Sequence, residues 1–101
     1  MDLRVADNPD AERYEVFADG EPAGFMTYRR APERISLRHT EVDDAFEGHG
    51  VASTLVSTVL DEARAAGLGV LPFCPFVKGY IAKHPEYLDL VPDDQRERFG
   101  L

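Results

Sequence analysis

The chain has 101 residues, 44% hydrophobic and 30% charged, which suits one domain with enough apolar material for a core. Its net charge of −8 excludes a general grip on nucleic acid, because that requires a basic face to displace counterions from phosphates. A single cysteine excludes an internal disulfide and leaves too few thiolates for a cysteine zinc site.

The chain opens on Met1-Asp2-Leu3-Arg4 and a polar stretch rather than an apolar leader, so the expected location is the cytosol. Arg13 to Ala18 reads as a strand, closed by the turn signal Asp19-Gly20-Glu21-Pro22. Ala23 to Arg29 reads as a second strand, followed by a turn at Ala31-Pro32. From Ile35 to Val42 the residues alternate, which places Ile35, Leu37, His39 and Glu41 on one face of a third strand. Beyond Gly50 the period changes. Val51, Leu55, Val56, Val59, Leu60 and Ala63 recur at helical spacing, and Gly67 supplies the stop. Gly69 to Cys74 is almost wholly apolar and predicts a buried parallel strand. The surrounding uncharged run, Ala65 to Val77, is too short and too broken by glycine and proline to cross a membrane. Pro75 suits the first turn of a second helix running to Lys83, and the polar segment from Pro92 to Leu101 is expected to be loosely attached. The fold class is therefore α/β (α+β). Its antiparallel first half is followed by a glycine loop, a helix, one parallel strand and a C-terminal helix, all within a single domain spanning 1–101.

The loop Gly48-His49-Gly50-Val51-Ala52 lies between a strand and a well-formed helix. Glycine lets the backbone turn there and leaves amide donors open at the positive end of the helix dipole, which suits phosphate oxygens. A nucleotide P-loop is excluded because no lysine follows Gly50, and a dinucleotide fingerprint would need glycine where Ser53 stands. The loop alone fits either a phosphate site or a plain strand-to-helix turn.

The same loop resembles the pyrophosphate-binding motif of the GNAT N-acetyltransferase superfamily, Gln/Arg-x-x-Gly-x-Gly/Ala. Gly50 and Ala52 match its last two fixed positions, and Glu47 departs from the first. His39-Thr40-Glu41-Val42, Cys74-Pro75-Phe76-Val77 and His84-Pro85-Glu86-Tyr87 extend the resemblance over Tyr14 to Val91, to a small branch that lacks the helices usually covering the acceptor site. It implies acetyl-CoA as cosubstrate and an amine acceptor, on a small molecule or a protein, with a monomer or weak homodimer expected. The pyrophosphate would rest on Glu47, Gly48, His49, Gly50, Val51, Ala52 and Ser53. The pantetheine arm would lie between splayed central strands near Val42, with Cys74 and Tyr80 also close to the cofactor. His39 and Glu41 are the candidates to take a proton from the amine, and Cys74 is read as nucleophile, pocket lining or core residue. Tyr80 is a candidate acid or a packing residue, while Lys78 and Lys83 either reach phosphates or face water. The competing function is a non-catalytic acyl-CoA-binding module.

Overall fold

A computed structural model describes all 101 residues and builds them into a sheet of order β1-β2-β3-β4-β5. The strands are β1 (Leu3–Asn8), β2 (Arg13–Ala18), β3 (Glu21–Arg30), β4 (Arg34–Val42) and β5 (Gly69–Pro72). The helices are α1 (Val51–Ala65), α2 (Pro75–Lys83) and α3 (Asp93–Phe99). Neighbours β1 to β4 pair antiparallel, and α1 carries the chain across to β5, which pairs parallel to β4. β5 is therefore an edge strand, not the central one that the resemblance implies.

One face of the sheet is the core. Tyr14, Val16 and Ala18 of β2, Met26 and Tyr28 of β3, Ile35 and Leu37 of β4 and Val70 of β5 are buried there. α1 meets them with the six residues that helical spacing singles out, Val51, Leu55, Val56, Val59, Leu60 and Ala63. Removing a side chain such as Leu55 from this stripe would cost about 2–5 kcal/mol through lost burial and the cavity left behind. α1 ends as its glycine predicts: the Gly67 amide donates to the Arg64 carbonyl and the Leu68 amide to that of Ala63. The opposite face of β2 and β3, with Arg13, Glu15, Phe17, Phe25 and Thr27, is only half-buried.

Three expectations change. β1 was not legible, because only Leu3 and Val5 of its residues pack against the core and their neighbours are polar. The parallel strand ends at Pro72, two residues before Cys74, since proline has no amide to extend the ladder. The C-terminal segment is not loose. Phe99 is 7% exposed and meets Phe73 edge-on at 5.1 Å. The Arg96 side chain donates to the Val91 carbonyl at 3.1 Å, and the polar residues of α3 are its solvent face.

A segment of short turns, Pro85–Leu90, ties α2 back to α1. Arg64 donates to both carboxylate oxygens of Asp89, at 2.7 and 3.0 Å, and this holds Asp89 below the usual carboxylate range. Tyr87 donates to Asp61 at 2.9 Å. That bond favours the neutral phenol, with burial adding to it, and lifts the Tyr87 pKa from 10.0 to about 12. Buried Tyr28 donates to Asp7 at 2.6 Å, and burial, then this bond, raise its phenol too.

Two outcomes follow from this packing. Phe99→Ala should destabilise the fold by about 3 kcal/mol, read from urea unfolding, because it empties a buried aromatic site. A loose tail would give no change. The second concerns alkaline pH. The unfolded chain releases its tyrosine protons near 10.0 while folded Tyr87 holds its own to about 12, so this stabilisation is complete below pH 10 and lost as the pH rises through that window. Tyr87→Phe should make the urea midpoint less sensitive to pH across it.

Candidate functional site

The register between β3 and β4 shifts between Thr27 and Tyr28: Thr27 faces His39, whereas Tyr28 faces Leu37. Arg38 is thus an extra residue, a β-bulge, and it reverses the alternation of β4 beyond it. The expectation that His39 and Glu41 share a face with Ile35 and Leu37 is corrected by this bulge. They do share a face with each other, Nε2 of His39 lying 3.1 Å from Oε1 of Glu41. That face is the outer one, and their side chains are 58% and 61% exposed. Thr40 and Val42 turn inward instead, toward the helices.

The same stretch of β4 lacks a partner on its other side. Pairing with β5 ends at Leu37 and Pro72, and the Cys74 amide, donating to the Leu37 carbonyl at 2.9 Å, makes the last bond of this ladder. Cys74 then occupies the N-cap of α2, with Pro75 in the first turn. Its thiol is buried, at 3% exposure, and sits 3.3 Å from the Thr40 hydroxyl. This contact crosses the gap between the separated strands. Sequence reading placed Thr40 on the face opposite Ile35 and Leu37, and the only trace of the bulge was the break in alternation at Glu41 and Val42.

After β4, a short turn at Asp44–Phe46 leads into the glycine loop, and the Asp43 carboxylate accepts from the Ala45 amide at 2.9 Å. Gly50 is the N-cap of α1 with φ +71, in the left-handed region where a side chain is strained. No side chain caps this helix end. The amides of Val51, Ala52 and Ser53 lack intrahelical acceptors, and these residues line a cavity of about 420 Å³. Its other walls are Thr40, Val42, Phe46, Glu47, Gly48, Gly50 and Phe76. A second cavity, about 390 Å³, continues from it past Ser53 and Phe76 to Gly79, Tyr80, Lys83 and His84.

The sequence-predicted residues therefore divide. Val42, Glu47, Gly48, Gly50, Val51, Ala52 and Ser53 converge on one cavity. His49 lies in the loop and is exposed. Tyr80 lines the adjoining cavity, its ring stacked on His84 at 4.0 Å, while Cys74 is packed behind the cavity walls as a core residue. Lys83 reaches the second cavity, whereas Lys78 lies elsewhere on the exposed surface. Phe76, left at 45% exposure between the two cavities, also escaped sequence reading. Its one available signal was an aromatic directly after the helix-starting proline. No helix is long and apolar enough to cross a membrane.

Residues 13–90 match the model of the GCN5-related N-acetyl-transferase family. Protein NATD1 of Mus musculus is 29% identical over 91 residues, covering 86% of this chain and 83% of its own. Protein NATD1 of Gallus gallus is 33% identical over 67 residues, covering 63% of this chain and 61% of its own. Among solved structures, a GCN5-like putative N-acetyltransferase from Staphylococcus aureus superposes with a TM-score of 0.67 at 24% identity, covering 88% of this chain and 87% of that one. A ribosomal-protein-alanine N-acetyltransferase from Brucella melitensis gives 0.56 at 20% identity, covering 79% and 61%. Both structural likenesses speak to the fold.

The position of Cys74 predicts its reactivity. Iodoacetamide should modify the native protein at least about tenfold more slowly than the urea-unfolded chain, because burial withholds the thiolate. Rapid native alkylation, blocked by acetyl-CoA, would instead mark the sulfur as reachable from the cavity.

Proposed function

This chain belongs to the GCN5-related N-acetyltransferase family and is an acetyltransferase, and from that premise we propose that it takes its acetyl group from acetyl-CoA and delivers it to an amine. The single observation that carries this reading is the N-terminus of α1, uncapped by any side chain and opening onto a cavity that runs along the unpartnered side of β4. Amide donors at a helix start suit the pyrophosphate of CoA, because they add fixed dipoles without an opposing charge to desolvate. The unpaired backbone beyond Leu37 offers donors and acceptors to the amides of the pantetheine arm, in the manner of a missing strand. The adjoining cavity, with Tyr80, Lys83 and His84, has a cation and stacked rings for the nucleotide end. Glu47 brings a negative charge to the loop, so the backbone and not this side chain is the phosphate ligand in our reading.

The reaction needs a neutral amine. Its nitrogen attacks the thioester carbonyl, the new N–C bond forms, the C–S bond breaks, and CoA leaves as the thiolate. The amine proton goes to His39 or Glu41, which are hydrogen-bonded to each other and exposed on the outer face of β4. A neutral imidazole there offers a ring nitrogen lone pair to take the proton. Cys74 has no covalent part in this sequence. It packs against Thr40 and fixes the start of α2 beside the cavity.

Acetyl-CoA at about 100 times its dissociation constant should stabilise the protein by roughly 2.7 kcal/mol, visible as a rise in melting temperature. Gly50→Val should lose that rise while remaining folded by circular dichroism. A Cβ at this position meets no atom within 4 Å beyond its chain neighbours, so the main cost to the fold is the left-handed strain, about 1–2 kcal/mol. If the wild-type protein shows no shift at millimolar acetyl-CoA, or if Gly50→Val keeps it, the reading is wrong.

A further inference from the structure

The loop cavity is closed at the end away from the phosphate-binding amides. Two residues of β4 line it, Val42 next to the loop and Thr40 further back toward Leu37. Past Thr40 the gap in the sheet ends, because the Cys74 amide donates to the Leu37 carbonyl at 2.9 Å. Thr40 is therefore the last side chain of β4 that the cavity meets before the ladder closes. Its hydroxyl lies 3.3 Å from the Cys74 sulfur, so a side chain from each edge of the gap joins across it.

Behind this pair the packing is full. Met26 stands opposite Thr40 in the register of β3 with β4 and is completely buried. Residues directly opposite in an antiparallel pair point to the same face, so Thr40 is backed by Met26 as well as by Cys74. Cys74 is itself buried, and so is Val77 in the first turn of α2. None of these backing side chains lines the cavity. A protein interior is close-packed, and extra methylenes enter it only by displacing side chains from their preferred positions.

A CoA thioester whose phosphates rest on the start of α1 carries its acyl group at the other end of the pantetheine arm. With the arm alongside the unpartnered part of β4, that acyl group arrives at the blind end formed by Thr40. Resting on the reading of the chain as an acetyl-CoA-dependent transferase, we propose that Thr40 is the wall that limits the acyl group to two carbons. The acetyl methyl packs against the Thr40 side chain. Each further methylene would drive that side chain into Cys74 and Met26. Cys74 is thus a positioning residue: it acts through Thr40, by filling the space into which Thr40 would otherwise retreat.

The test is isothermal titration calorimetry of the full chain with CoA, acetyl-CoA and butyryl-CoA, without an acceptor so that the thioesters are not consumed. The wild type should bind acetyl-CoA at least about tenfold more tightly than butyryl-CoA. Thr40→Ala and Cys74→Ala should each lower that ratio about three- to tenfold, because both open space at the blind end. Thr40→Val keeps the shape of the side chain without its hydroxyl and should preserve the ratio. Equal affinity of the wild type for the two thioesters would overturn the proposal, as would an unchanged ratio in both alanine variants. So would a ratio that falls as far in Thr40→Val as in Thr40→Ala, which would put the hydroxyl rather than the wall in control. Free CoA keeps the two readings apart. If the wild type binds CoA but does not distinguish the thioesters, only the acyl wall falls; if it binds no CoA species, the cofactor path falls and the wall with it.

Discussion

Past Leu37, β4 holds β3 on one side and meets no strand on the other. The cause is local: Pro72 closes the parallel ladder, and the chain turns at Phe73 and Cys74 into α2. Backbone polar groups left without a partner are expensive to bury and ready to bind. The gap is therefore both a weak point of the sheet and a place where another extended chain finds free backbone groups. The bulge at Arg38 works with it. By reversing the alternation, it sends Thr40 and Val42 toward the helices and leaves His39 and Glu41 on the open face. One inserted residue thus separates the side of β4 that faces the loop cavity from the side that faces solvent.

The helix that follows is held by its flank rather than by its first turn. Six buried side chains fix α1 against the sheet, and Arg64 and Asp61 fasten its far end to Asp89 and Tyr87. Packing of this extent outweighs the absence of an N-cap side chain, which with glycine in that position costs roughly a few tenths of a kcal/mol relative to serine or aspartate. Free amides at the helix start are therefore kept at little risk to the fold. The close approach of β3 to β4 has the same character. A side chain on Gly24 would collide with the Glu41 carbonyl oxygen, so glycine there lets the two strands meet where the site begins.

Lysine is scarce around the loop at the start of α1 in this acidic chain. Of the cations near the loop, only Lys83 lines a cavity, and it belongs to the outer one. Backbone amides answer this difficulty because they offer positive ends without changing the net charge. The same −8 favours cations over anions at the surface as a whole.

The sequence determined what depends on neighbours along the chain. Helical spacing identified every residue that α1 buries, and Gly67 marked the end of that helix. Pro75 placed the start of α2, and Gly50 the loop before α1. These features are local, set by backbone geometry and a short period, so they can be read without knowing what packs against them. Tertiary structure decided the rest. The bulge at Arg38 depends on β4 meeting β3; the broken alternation at Glu41 and Val42 hints at it without locating it. β1 is held by its pairing with β2 and two apolar residues, too faint a pattern to see in isolation. The contact of Thr40 with Cys74 spans 34 positions, and the docking of Phe99 on Phe73 depends on the chain returning to β5. A trough on the outer face gathers residues from three strands. Periodicity shows which residues are apolar, but only the folded sheet shows which surface is left uncovered.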